Sequence, residues 1–254
     1  MKEKIKDWLL KGGLPFEMEV SNMFLDAGFL VAQSVYYKDN DSNKYRETDI
    51  IAHHFKKING VYVNLTFIVE CKSSIEKPWV VLQNERLTNS INPESKIYHT
   101  QNFTKAFEKI ISESKFNSDL IYKNKRQFGY SLITALNNNG GNDKAYESTQ
   151  TLLKSCEHLV YSTNNSDRKV CNLYFPLIII KGDLYSAKMI SDNDLKIEET
   201  TEAEIIISRS YHEFNNSSIR IFNNKNLFAN IESLKKYCDD FFNNYKVILE
   251  KNIE

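Results

Sequence analysis

Two acidic residues and a lysine stand where strand geometry can bring them together. Residues 61–72 read as a strand, and with a period of two Val61, Val63, Leu65, Phe67, Val69 and Cys71 point one way while Tyr62, Asn64, Thr66, Ile68, Glu70 and Lys72 point the other. Glu70 and Lys72 therefore share a face at the end of an apolar run typical of a central strand. A bare carboxylate there is costly, so Glu70 requires a cation, either Lys72 or a metal ion. By the same rule Glu47 and Asp49 share a face on the strand before, and Asp49 leads directly into Ile50-Ile51-Ala52. Asn59-Gly60 between the two runs is a hairpin signal. It makes the strands antiparallel neighbours and lets Asp49 and Glu70 converge. Two converging carboxylates beside an ammonium suit a hard divalent cation such as Mg²⁺, which takes oxygen ligands and completes its shell with water and substrate phosphate. Such an ion polarises a phosphoryl oxygen and acidifies an attacking water, while Lys72 orients that water or stabilises developing charge. The chemistry is phosphodiester hydrolysis.

The elements that must position these groups follow from patterning. Ile5, Trp8 and Leu9 have helical spacing, and Gly12-Gly13 stops that segment. Pro15 opens a second helix with Phe16, Val20, Met23, Phe24 and Ala27 on one stripe and Gly28 as its stop. Residues 29–37 and 46–55 are the first two strands, joined by a polar turn at 38–44. Residues 73–141 break the rhythm and read as an insertion, with a helix containing Phe103, Phe107, Ile110 and Ile111 and an apolar run at 128–136. An Asn- and Gly-rich loop at 137–142 precedes a helix over 143–159, with Leu152, Cys156 and Leu159 as its buried edge. Strands at 173–180 and 184–189, joined at Gly182-Asp183, a strand near 204–211 and a helix over 227–249 close the chain.

With these elements in order, the sequence resembles the PD-(D/E)XK nuclease superfamily, the restriction-endonuclease-like fold. The matching residues are Asp49 in Arg46-Glu47-Thr48-Asp49-Ile50-Ile51 and the triplet Glu70-Cys71-Lys72, with twenty residues and a hairpin between them. Pro15-Phe16-Glu17 looks like the acidic position that many members carry on the helix before the sheet. Thr48 stands where the family's name has Pro. The resemblance implies a single α/β domain with an αβββαβ core over 14–72 and 142–190, a mixed central sheet flanked by helices, an insertion at 73–141 and an extension at 191–254. It also implies Mg²⁺-dependent cleavage of nucleic acid, with Mn²⁺ able to substitute. Asp49, Glu70 and the main-chain carbonyl of Cys71 would be metal ligands, Lys72 would act on water, and Glu17 would hold a water-mediated or second ion. A restriction or defence role is what the family most often implies, and a homodimer or a partner protein from a defence system goes with it.

Other residues have ordinary readings. An acidic residue in a first helical turn, as Glu17 is, is favoured by the helix dipole alone, and Glu19 competes with it. His53 and His54 point to opposite faces and cannot chelate one ion, so they read as surface histidines; His99, His158 and His212 are isolated. Lys144 and Gln150 lie on the helix after the insertion, where they reach either substrate or solvent. Lys123, Lys125 and Arg126, flanked by Tyr122 and Phe128, form the densest basic cluster and fit phosphate contact with base stacking.

Composition bounds the rest. The 254 residues carry 33 basic and 33 acidic side chains, so no global field attracts a polyanion or a membrane, and nucleic-acid contact must be local. Four dispersed cysteines exclude zinc-finger spacing and a disulfide framework and fit a reducing cytoplasm. No stretch approaches the roughly eighteen apolar residues of a membrane span. P-loop, dinucleotide and nucleophile-elbow motifs are absent. The expectation is a cytoplasmic Mg²⁺-dependent endonuclease acting on DNA. Its rivals are a catalytically silent nucleic-acid-binding or assembly module on the same fold and an RNA nuclease.

Overall fold

The computed structural model describes residues 1–39, 42–84, 97–112, 128–137, 143–192, 194–208 and 216–253. Helices α1 (Lys2–Lys11) and α2 (Leu14–Asp26) lead into three long strands, β1 (Leu30–Asp39), β2 (Lys44–Ile58) and β3 (Val61–Ser73). There follow β4 (Trp79–Gln83), β5 (Tyr98–His99), α3 (Thr104–Ser112), β6 (Gly129–Thr134), α4 (Lys144–Asn164), β7 (Val170–Lys181), β8 (Leu184–Ser191), β9 (Asp194–Thr200), β10 (Glu202–Ser208), β11 (Asn216–Asn223), α5 (Leu227–Asn244) and α6 (Lys246–Asn252). All the strands belong to one mixed sheet in the order β1-β2-β3-β7-β11-β10-β6-β4-β8-β9, with β5 added beside β7. The molecule is thus α/β, a large mixed sheet with helices on both faces.

Strict alternation along the central strands explains that layering. Val63, Leu65, Phe67, Val69 and Cys71 of β3 and Leu173, Phe175, Leu177 and Ile179 of β7 pack with Phe16, Val20 and Phe24 of α2, with α3 and with α5. Ile68 of β3 and Tyr174, Ile178 and Ile180 of β7 pack instead with Ala145, Leu152, Leu153, Cys156 and Val160 of α4. Buried on both faces, β3 and β7 pair in parallel from Tyr62 against Val170 to Ser73 against Lys181. β1, β2 and β3 form an antiparallel meander, turned at Asn59 (φ 49°) and Gly60 (φ 86°). Gly28, at φ 86°, ends α2 as its position implies.

The segment 73–141 is woven into this sheet. It supplies β4 and β6, which pair with each other, and β5, which pairs with β7, while Phe103, Phe107 and Ile110 enter the main core. The strands on either side of Gly182-Asp183 do not pair with one another: β8 lies between β4 and β9, on the far side of the sheet from β7. A Cβ on Gly182 would lie 2.4 Å from the Ser74 carbonyl oxygen, so glycine lets the exit of β7 close against the exit of β3. The C-terminal helical run is broken at Tyr245, which separates α5 from α6. Among the described residues no helix is long and apolar enough to cross a membrane.

Candidate metal centre

The β2–β3 ladder runs from Ile58 against Val61 to Ile50 against Val69, which leaves Asp49 one step past its end, level with Glu70. On the other side of β2, β1 pairs through Gln33 with Ile50 and through Val35 with Thr48, and Ser34 between them turns to φ 53°. The outer strand therefore kinks at the level of Asp49. The Cys71 backbone N–H donates to Asp49 Oδ2 at 2.7 Å and fixes that carboxylate against the end of β3. Beyond Lys72 the chain is clamped again, since the Ser74 N–H donates to the Lys181 carbonyl at 2.8 Å.

Lys72 Nζ lies 2.6 Å from Glu70 Oε1 and 3.7 Å from Asp49 Oδ2, and it donates to the Cys71 carbonyl at 3.2 Å. One ammonium thus sits among three oxygens from two strands. Glu70 is 5% exposed, so these charges interact across a poorly hydrated interior. Burial pushes the Glu70 carboxyl up to about 7, against the pull of Lys72 and with the help of Asp49. Burial raises Asp49 as well, opposed by Lys72 and by the Cys71 N–H. Burial draws the Lys72 ammonium down, but Glu70 and Asp49 outweigh it and hold its proton more firmly than on a free lysine. The half-buried Glu17 on α2 is raised by burial first and then by Asp49, which brings it within electrostatic reach of the pair. Glu47 is also half-buried and pushes Asp49 up, whereas Glu19 is exposed.

Asp49, Glu70, the Cys71 carbonyl and Lys72 are therefore brought together, with Glu17 nearby. The donor set is all oxygen, acidic and short of countercharge, which fits a hard divalent ion that retains several waters and needs only one or two carboxylates. It does not fit a soft ion, because the Cys71 thiol is raised well above its ordinary value by burial. Among the described residues no group of three or more His, Cys, Asp and Glu side chains is poised around one point.

The other residues have separate fates. Lys144 is exposed and lines a cleft of about 330 Å³ together with Ser73, Ser74, Glu76, Lys77 and Thr134, just past the end of β3. Lys77, whose ammonium donates to Asn137 Oδ1 at 3.1 Å, has no motif to mark it in the sequence, since only the fold sets it beside Lys144. Gln150 is half-buried on α4. Lys123, Lys125, Arg126, Tyr122 and His212 lie outside the described residues. His53 and His54 do face opposite ways, but they are half-buried and bonded, not surface groups. His53 Nδ1 meets Thr66 Oγ1 at 2.9 Å and His54 Nε2 meets Asp239 Oδ1 at 3.0 Å. Burial lowers both imidazoles below their ordinary value.

α4 covers the site's face of the sheet and is tied to the meander by polar contacts. Thr48 Oγ1 meets Ser155 Oγ at 2.5 Å, Tyr37 OH donates to the Thr151 carbonyl at 3.0 Å, and Lys154 pairs with Asp39 at 3.2 Å. Comparison with protein families, with curated proteins and with solved structures finds no match.

Proposed function

We propose that the chain is a divalent-metal-dependent nuclease of the restriction-endonuclease-like kind, hydrolysing phosphodiester bonds of nucleic acid, with DNA as the first substrate to test. The observation that carries the reading is the placement of one lysine ammonium among Asp49, Glu70 and the Cys71 carbonyl. Three oxygens on adjacent strands already hold a cation, and two of them belong to carboxylates that a single ammonium does not neutralise. The chain order of helix, three antiparallel strands and, after the segment 73–141, a helix and a strand parallel to the third supports the fold assignment.

In this reading Asp49, Glu70 and the Cys71 carbonyl bind Mg²⁺ or Mn²⁺, which supplies Lewis acidity toward a phosphoryl oxygen and toward water. Asp49 is held in place through Oδ2 by the Cys71 N–H. Lys72, anchored beside Glu70, would orient the attacking water or stabilise developing negative charge. Glu17 adds a third carboxylate within electrostatic reach of Asp49, which would hold a water-mediated or second ion. Lys144 and Lys77 in the adjoining cleft meet flanking phosphates. A cytoplasmic setting and a role in restriction or defence belong to the same proposal.

The test is incubation of purified protein with supercoiled DNA, single-stranded DNA and RNA, with Mg²⁺, with Mn²⁺ and with excess chelator. Metal-dependent cleavage that chelator abolishes is the expected result, and cleavage of RNA alone assigns the same residues to an RNA nuclease. Intact substrates together with calorimetrically silent metal titrations would leave a catalytically silent binding module.

A further inference from the structure

Helix α1 adds nothing to the core: its residues 2–10 are all exposed, and neither layer of packed apolar side chains contains one of them. Yet one side of it is apolar. At about 100° per residue, Trp8, Ile5 and Leu9 share an arc of about 100°. They are 71, 50 and 37% exposed. The patch continues across the Gly12-Gly13 turn, where Ile5, Leu9 and Leu10 of α1 and Leu14 and Met18 of α2 line a groove of about 390 Å³. The charges follow the same wheel. Lys4 borders the arc beside Trp8, Lys2 and Lys6 border it beside Leu9, and Glu3 and Asp7 stand on the opposite side.

We propose that α1 is an in-plane anchor that seats on an anionic lipid bilayer, with Trp8, Ile5 and Leu9 entering the boundary between headgroups and acyl chains while Lys2, Lys4 and Lys6 meet lipid phosphates. The distribution of charge selects this occupant. A bilayer surface offers an apolar interior and, at the level of the flanking lysines, negative charge; the acids of α1 point away from it. A nucleic acid offers the charge but no apolar interior to take up Ile5, Leu9, Leu14 and Met18. A second copy fits worse. Pairing through this arc about a two-fold, parallel or antiparallel, sets lysine flank against lysine flank and leaves the acids on the far sides. The attraction is local, since 33 basic and 33 acidic residues cancel over the whole chain. A ten-residue helix is about 15 Å long and lies along the surface without crossing it. None of these residues belongs to the metal centre, so the inference stands apart from the nuclease reading.

Co-sedimentation of the whole chain with vesicles of phosphatidylcholine alone, and of phosphatidylcholine with about one-third phosphatidylglycerol, tests it at low and high salt. The chain should pellet with the anionic vesicles only, and less so as salt rises. It has two tryptophans, and Trp79 is fully buried, so a blue shift of emission on binding reports Trp8. Lys4→Gln and Lys6→Gln should each weaken binding about fivefold, and Trp8→Gln on the order of tenfold. All three side chains are exposed, so circular dichroism should show an unchanged fold in each variant. A chain that stays in the supernatant with anionic vesicles, binding that neutral vesicles match, or binding that none of the three variants weakens overturns the proposal. Absent vesicle binding together with Trp8-dependent binding of DNA or Trp8-dependent self-association overturns it in favour of that occupant.

Discussion

Asp39 and Asp49 lie ten residues apart on neighbouring strands and are both drawn into the protein, yet their surroundings are opposite in balance. Asp39, with a side chain 1% exposed, receives Arg46 Nε at 2.7 Å, Lys154 Nζ at 3.2 Å and the Ser42 hydroxyl at 2.8 Å. One negative charge is met by two positive ones, and a bond from α4 to the end of β1 is the result. At Asp49 the count reverses: two carboxylates, with Glu17 as a third nearby, surround one ammonium. Burial is common to the two clusters and so does not mark function. The sign of the remaining charge separates them, because a cluster with surplus cation is closed whereas a cluster with surplus carboxylate still attracts a cation.

The largest expected effect breaks the comparison if it fails. Asp49→Ala or Glu70→Ala should lower metal-dependent cleavage by about a thousandfold, equal to roughly 4 kcal/mol at about 1.4 kcal/mol per factor of ten. In chelator the same variants should melt no lower than wild type, since removing one of two carboxylates relieves their repulsion. Single-turnover rates beside thermal melts give both readings, and full activity in either variant sinks the assignment.

Lys72→Met comes next and separates a working lysine from a structural one. Turnover should fall about a hundredfold while calorimetry shows metal binding kept or strengthened, because the ammonium no longer contends for the same oxygens. A variant that is merely destabilised and still active per folded molecule returns Lys72 to a plain ion pair with Glu70.

Asp39→Ala should show the converse profile. Cleavage per folded molecule stays near wild type, and stability falls by about 2 kcal/mol. The loss is at the lower end for a buried pair because Arg46 is 43% exposed and regains water. Denaturant unfolding checks it.

The smallest effect is in pH. The Glu70 carboxyl is raised from 4.5 to about 7, chiefly by burial, so the folded state holds the proton more tightly than the unfolded one. That contribution is full below pH 4.5 and is lost as pH rises toward about 7, which makes the metal-free protein less stable across this window. Subtracting melts of Glu70→Gln from those of wild type in chelator isolates the trend. A difference that grows more favourable to wild type between pH 4.5 and 7 contradicts it. Mg²⁺ should flatten the slope, because binding favours the ionised carboxylate.

Much of the meander and its site was legible because both are local. Asn59-Gly60 set the hairpin, alternation along residues 61–72 gave the faces, and together they brought Asp49 to Glu70 without knowledge of the rest of the sheet. The Asp39 cluster was not legible, since Lys154 is 115 residues away and no spacing announces it. The distal strands were hidden for a different reason. β9 buries neither face and β11 opens on Asn216-Ser217-Ser218, so neither carries the apolar signature of a core strand. Pairing of β4 with β6 and β8 depends on contacts that cross the whole chain.

The parallel seam between β3 and β7 carries a kinetic consequence. Its partners are about a hundred residues apart, as Glu70 against Ile178 illustrates, whereas the turn that unites Asp49 with Glu70 spans a single hairpin. Loop-closure entropy favours the hairpin first and the seam with its α4 cover later. The acidic pair is therefore assembled while water still reaches it, and its charges leave solvent only when the crossover docks. Docking of α4 is thus the step that bears the electrostatic cost of the site.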